Sequence, residues 1–307
     1  MPEGWLPDEE TARRRRQVAR RAQVVRQRTQ VKNQIHAILH RHRVPPCPYA
    51  DLFGKGGRVW LASQPLPADE RQTVASLLRT LDQFTEEVAG IERDVAEETV
   101  ACVPARRLMT MPGVDAAVAM TLVAAVGEIA RFSSAQKLVS YLGLDPRVRQ
   151  SGLHPATHGR ISTQGHAHAR SMLVQAAWAV TKTPGPLRAF FLRLRARRGE
   201  QIAVVATARK LAVLVWHLWS KEQDYLWARP SLTATKLRNL ELRAGRPTRR
   251  GQRGPTANYS IKRLREQERA IGEHAERAYA EAVARWQPRR PAKPKSVGVS
   301  AAKEERT

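Results

Sequence analysis

Acidic side chains are scarce in this sequence: 28 Asp and Glu stand against 53 Lys and Arg, a formal net charge of +25 over 307 residues. Between Glu128 and Glu200 the only carboxylate is Asp145, so that region cannot assemble a two-metal carboxylate centre by itself. Cysteine is nearly absent. Cys47 and Cys102 are the only two and lie far apart with no metal-type partner spacing, which suggests reduced thiols instead of a disulfide framework. Long uncharged apolar runs are missing as well. The best candidate, 202–219, is interrupted by Arg209 and Lys210, which marks a core helix and no membrane span. The first residues are acidic and then arginine-rich without an apolar stretch, so no secretory signal is read. What remains in excess is positive charge. It implies a polyanionic partner, nucleic acid above all, although charge alone also fits a ribosome or an anionic membrane.

The chain opens with a long basic helix expected over 8–40, capped by Asp8 or Thr11. Val18, Val25, Val31, Ile35 and Ile38 mark a thin apolar stripe, and Arg13, Arg14, Arg20, Arg28 and Lys32 are among the cations covering the rest. So long a run of one sign is expected to lie against phosphate. Prolines and the run Gly54-Lys55-Gly56-Gly57 make 45–65 a linker; the run lacks the spacing of a phosphate-binding P-loop. Val74, Leu77, Leu81, Phe84, Val88, Ile91 and Val95 then alternate steps of three and four, a heptad seam within 66–100. The seam suits a coiled-coil hairpin, a dimer contact, or a helix packed on its own domain.

The stretch 108–170 organises the rest. Pro112-Gly113 ends one helix, and Asp115 is a good cap for the next, the shape of a helix-hairpin-helix turn whose free N–H groups can hold a DNA phosphate. A tight corner packing Met109, Val114, Val118 and Leu122 is the reading the residues alone favour, and the charge of Asp115 would repel a phosphate. Gly127 closes the second helix, Ser133 or Ser134 caps a third, and the third ends at 141–143. A short basic turn follows, with Arg147, Arg149 and then Ser151-Gly152. Serine beside glycine sits on a permissive backbone that can present its hydroxyl, and flanking arginines can neutralise a phosphate under attack. The same residues also describe an ordinary turn. Arg160 and Arg170 add cations downstream, while His154, His158, His166 and His168 match no common metal-ligand spacing.

Further helices are expected over 165–183, 184–198 and 202–227, the last being the core helix with Val205, Leu211, Leu214, Val215 and Leu218 inward. Residues 229–257 read as a basic linker, 258–287 as an amphipathic helix, and 288–307 as a disordered basic tail.

The ordered blocks PGV, GEIARFSSAQKLVSYLGLDP, SG, GRISTQGHAHAR and AVVATARKLAVLVW resemble the C-terminal domain of IS110/IS1111 insertion-sequence transposases. Upstream, LPDEETARRRRQVARRAQVVRQRTQVKNQIHAIL resembles the last helices of that family's DEDD domain, which has a RuvC-like fold, and together the matches cover about 5–228. The resemblance implies a mainly α protein: 1–44 as the end of a truncated RuvC-like domain, and 104–228 as a helical transposase domain with a helix-hairpin-helix-like turn. It implies Ser151 as the nucleophile toward a DNA phosphodiester, with Gly152 as its flexible neighbour. It implies DEDD carboxylates binding Mg²⁺ in segments ahead of LPDEE, so no cofactor is assigned to this chain alone. DNA, a guide RNA, a homo-oligomer formed through the 74–95 helix and a bacterial cytoplasmic, nucleoid-associated setting also follow from the resemblance. Two alternatives stay open: a non-catalytic nucleic-acid-binding remnant, and a repair-type protein using the hairpin turn.

Overall fold

A computed structural model describes residues 5–151, 156–246 and 261–286. It is mainly α. Helix α1 (Glu9–Arg41) starts where the Asp8 carboxylate accepts from the Thr11 amide at 2.6 Å, and Glu9 and Glu10 complement the dipole in its first turn. Helix α3 (Ala68–Ala101) runs back antiparallel along it, as the ion pairs Arg13 to Glu98, Arg21 to Glu92 and Arg41 to Glu70 show, each at 2.6 Å. Val74, Leu81, Val88 and Val95, seven residues apart, are all buried. The heptad seam thus packs against α1 of the same chain. The stripe on α1 is buried at Val18, Val31, Ile35 and Ile38, with Val24 fully buried in the place expected of Val25, which is only half-buried.

The expected linker at 45–65 contains a helix, α2 (Lys55–Ala62). Glycine propensity argues against it, but tertiary packing overrides propensity. A side chain at Gly57 would meet the carbonyl oxygens of Asp51 and Leu52 at 2.4 Å, so glycine lets the helix sit directly on that turn. Leu52, Leu61 and Leu66 close a small core with Ile35, Ile38 and Val74.

The main core lies around α5 (Ala116–Val126), in which every residue from Val118 onward is buried. Against it pack α4 (Val103–Leu108), α6 (Ala135–Tyr141), α7 (Ala167–Val180), α8 (Pro186–Arg198) and α9 (Glu200–Ser220), together with the near ends of α1 and α3. Helix α9 is long and apolar enough to cross a membrane by length and composition. It buries Leu211, Val215 and Leu218 in this core as expected, with Val205 and Leu214 half-buried, and stops short of Trp227. Arg15 fastens α1 to the core, donating to the carbonyls of Ala124 at 2.8 Å and Ala125 at 2.9 Å at the end of α5.

Part of the expected basic linker is also helical: α10 (Pro230–Arg243) packs on α3 and is held by α11 (Lys262–Arg285). The reason lies outside its own sequence. Buried Glu268 of α11 accepts from the Ser231 amide at 2.7 Å and from the Ser231 hydroxyl at 2.5 Å, capping α10 from a neighbouring helix. Glu268→Ala strands these donors, so unfolding free energy should fall by about 1–3 kcal/mol in a denaturant titration. An unchanged midpoint would show that the cap is idle. The rest of that linker and the tail, 247–260 and 287–307, lie outside the described residues.

A candidate nucleic-acid site on a basic β-hairpin

Where a basic turn and loop were expected, two short strands pair antiparallel, β1 (Pro146–Arg149) and β2 (Thr157–Ile161), with Val148 opposite His158 and Arg149 opposite Thr157. The hairpin's base is tied to the core. Gly143, at φ 68°, passes so close to Gln164 that a side chain there would meet its carbonyl oxygen at 2.3 Å. Asp145, the lone carboxylate of the region, accepts from the Ser162 hydroxyl at 3.0 Å and the Ser140 hydroxyl at 3.2 Å. Its charge is spent at the base of the hairpin, not among the arginines of its arms.

Those arms carry the predicted residues. Ser151 is exposed just past the end of β1, with Arg147 and Arg149 exposed before it and Arg160 exposed on β2. Arg147 donates to the Ser162 carbonyl at 3.1 Å, and Thr157 fixes the backbone of Arg149 by donating to its carbonyl at 3.0 Å. Among the described residues no acid pairs with Arg147, Arg149 or Arg160. Gly152 and His154 lie outside the described residues, as does the side chain of His158. An exposed serine on the same hairpin as three arginines without an acidic partner among the described residues can meet a phosphodiester without burying an uncompensated charge.

Arg170 is different. Half-buried on α7, it donates to the Leu142 carbonyl at 3.1 Å and so anchors the hairpin's base instead of extending toward a ligand. Beside it, His166 caps α7, its Nδ1 accepting from the Ala169 amide at 3.2 Å. Burial, and after it the cations Arg15 and Arg170 and the neighbouring His168, holds the His166 ring below its ordinary pKa, which suits an acceptor nitrogen. His168 is lowered likewise, by burial and then by Arg21 and Arg26.

Two other sets of predicted residues are held within the fold. The Pro112-Gly113 turn packs as a tight corner: Gly113, at φ 76°, is so close to α7 that a side chain would meet the Ala176 carbonyl oxygen at 2.4 Å. Asp115 caps α5 by accepting from the Val118 amide at 2.9 Å. Arg13, Arg14 and Arg20 each pair with an acid of α3, Glu98 or Glu87, which partly offsets the charge of this face. Lys32 places its ammonium 4.7 Å from the Phe53 ring centre, while Arg28 is half-buried on the same helix. Finally, Lys236 was missed altogether. It reaches from α10 to the carbonyls of the Pro112-Gly113 turn, and burial pushes its pKa down to about 8, with Asp115 acting the other way. No local pattern around Lys236 announces this contact.

Residues 105–192 match the family described as Transposase IS116/IS110/IS902 family. Over that segment, the chain is similar to the IS116/IS110/IS902 transposase family. Relatives agree over a wider span. The transposase for insertion sequence element IS1111A of Coxiella burnetii is 28% identical over 211 residues, 67% of this chain and 58% of the relative. A probable family 20 transposase of Pseudomonas aeruginosa is 26% identical, over 67% of this chain and 62% of its own length. A pilin gene-inverting protein of Moraxella bovis is 30% identical over 38% of each chain. The chain thus spans about six-tenths of the length of the first two of these relatives. The matched segment contains the hairpin, its base and the corner turn, and ends within α8.

The divalent ion implied by the resemblance does not fit the residues in view. Asp8 is spent on the cap of α1, Glu9 pairs with Arg16 and Glu10 with Arg14. Among the described residues no group of three or more His, Cys, Asp or Glu comes together to hold a metal.

Proposed function

We propose that this chain takes part in DNA strand cleavage and rejoining of the IS110 type, with Ser151 as the nucleophile. The observation that carries the reading is the exposed Ser151 hydroxyl on a hairpin whose arginines have no acidic partners among the described residues. In the proposed step the Ser151 oxygen bonds to a DNA phosphorus, its proton passes to a base, and the bond from that phosphorus to one deoxyribose oxygen breaks. The severed end is held as a phosphoserine ester. A DNA hydroxyl then attacks the same phosphorus, restoring a phosphodiester and returning the serine. Arg147, Arg149 and Arg160 would stabilise the charge that builds on the phosphoryl oxygens. DNA as the partner draws support from the relatives named as transposases and from the one named as a pilin gene-inverting protein.

A guide RNA, Mg²⁺ and a bacterial cytoplasmic, nucleoid-associated setting belong to the same proposal for the whole family protein, and Mg²⁺ is assigned to no residue of this chain. Self-association through α3 is proposed only for the faces that α1 and α10 leave open. The competing reading is a nucleic-acid-binding protein without chemistry, which keeps the charge and dispenses with the serine. Incubation with element-end DNA, the element's RNA and Mg²⁺, followed by denaturing electrophoresis, separates the two. We expect a protein–DNA adduct that survives detergent; tight binding with no adduct would favour the competing reading.

The arginines give an independent prediction. Each phosphate contact adds about 0.9 to the slope of log affinity against log salt for duplex DNA. Replacing Arg147, Arg149 and Arg160 by alanine should flatten that slope by about 3 in a binding titration, with no change in the unfolding midpoint. A slope equal to that of the unaltered protein would mean that DNA lies elsewhere.

A further inference from the structure

Three carbonyl oxygens of one turn converge on a cation supplied from far along the chain. Met109, Met111 and Val114 accept from the Lys236 ammonium at 2.8, 2.7 and 2.9 Å. An ammonium has three protons, and all three are engaged. The oxygens sit between the end of α4 and the start of α5, where backbone carbonyls are released from intrahelical bonding. Gly113, pressed on α7, and Asp115, capping α5, fix the path between them. The cage therefore belongs to the turn and the ion comes from α10. Beside it lies a cavity of about 260 Å³ lined by Asp115, Asn239 and Lys236, with room for water.

We propose that the 109–114 turn is a monovalent-cation site whose resident ion is the Lys236 ammonium, and that it accepts K⁺ or a small alkylammonium once that side chain is removed. Neutral carbonyls at these distances suit a large monovalent ion. A magnesium ion is excluded by size, since it demands oxygens at about 2.0–2.1 Å. In the intact chain the tethered ion pins α10 to the start of α5, so the turn's shape depends on a helix outside the family domain.

The test is cation rescue. Lys236→Ala is compared with the unaltered protein by thermal unfolding in choline, potassium and ethylammonium chloride at equal ionic strength. In choline the variant should melt several degrees lower, potassium or ethylammonium should recover at least half of the loss, and the unaltered protein should not distinguish the three salts. A variant indifferent to the cation, or an unaltered protein that responds as strongly, overturns the proposal. Should the variant fail to fold, ¹⁵N NMR of the unaltered chain decides. Lys236 ammonium protons that exchange markedly more slowly than those of surface lysines support the cage, and equally fast exchange refutes it.

Discussion

Ser151→Ala should abolish the covalent protein–DNA adduct and lower strand cleavage by at least about 10³-fold, the scale on which removing an attacking nucleophile acts. DNA binding should stay within about twofold, because one exposed hydroxyl adds little to an electrostatic interface dominated by arginine. Stability should stay within about 0.5 kcal/mol, as for most surface substitutions. This split between chemistry and binding is what distinguishes a nucleophile from a contact residue. Cleavage in Ser151→Ala at the unaltered rate would assign the chemistry to another group. Parallel losses of cleavage and binding would make Ser151 a structural part of the hairpin.

Gly113→Ala should be among the most damaging single methyls in the domain. The backbone there is left-handed, at φ 76°, and the added carbon would meet the Ala176 carbonyl oxygen at 2.4 Å. That oxygen is backbone on a core helix and cannot swing aside as a side-chain tip could. Left-handed strain of about 1 kcal/mol plus displacement of a packed corner gives a loss of about 3 kcal/mol or more, or roughly 10 °C in melting temperature. Lys236 should feel the change too, because the displaced carbonyls are those that hold its ammonium. Gly90→Ala is the natural control: this glycine lies inside α3 with nothing within 4 Å of the added carbon. It should gain up to about 1 kcal/mol. A Gly113→Ala protein that melts with the unaltered one would contradict the packing described at this corner.

The pattern of success and failure in reading the chain follows the range of the forces involved. Local signals were legible. Asp8, Asp115 and Ser134 cap α1, α5 and α6 through their own side chains, and the seven-residue spacing of Val74, Leu81, Val88 and Val95 announced a buried seam. The seam's partner was not legible, because spacing alone cannot distinguish a helix of the same chain from one of a second copy. Contacts far apart in sequence were invisible for the same reason: Glu268 capping α10, Lys236 filling the corner turn, and Glu98 and Glu87 cancelling the arginines of α1. The hairpin shows both sides. Its residues stood out as a serine among arginines, yet its strands are too short for an alternating pattern, and the strap through Asp145 and Ser162 joins residues that only the fold brings together. Arg147, Arg149 and Arg160 keep the exposure that the sequence suggested, whereas Arg170 is drawn into the base of the same hairpin.

The most direct measurement is the site of attachment. The protein–DNA adduct is digested with protease and nuclease, and the peptide that retains a nucleotide is sequenced by mass spectrometry. The account predicts a single modified residue, Ser151, carrying the phosphate as a serine ester. A nucleotide found on any other side chain, such as Ser133, Ser162 or a tyrosine, would contradict it.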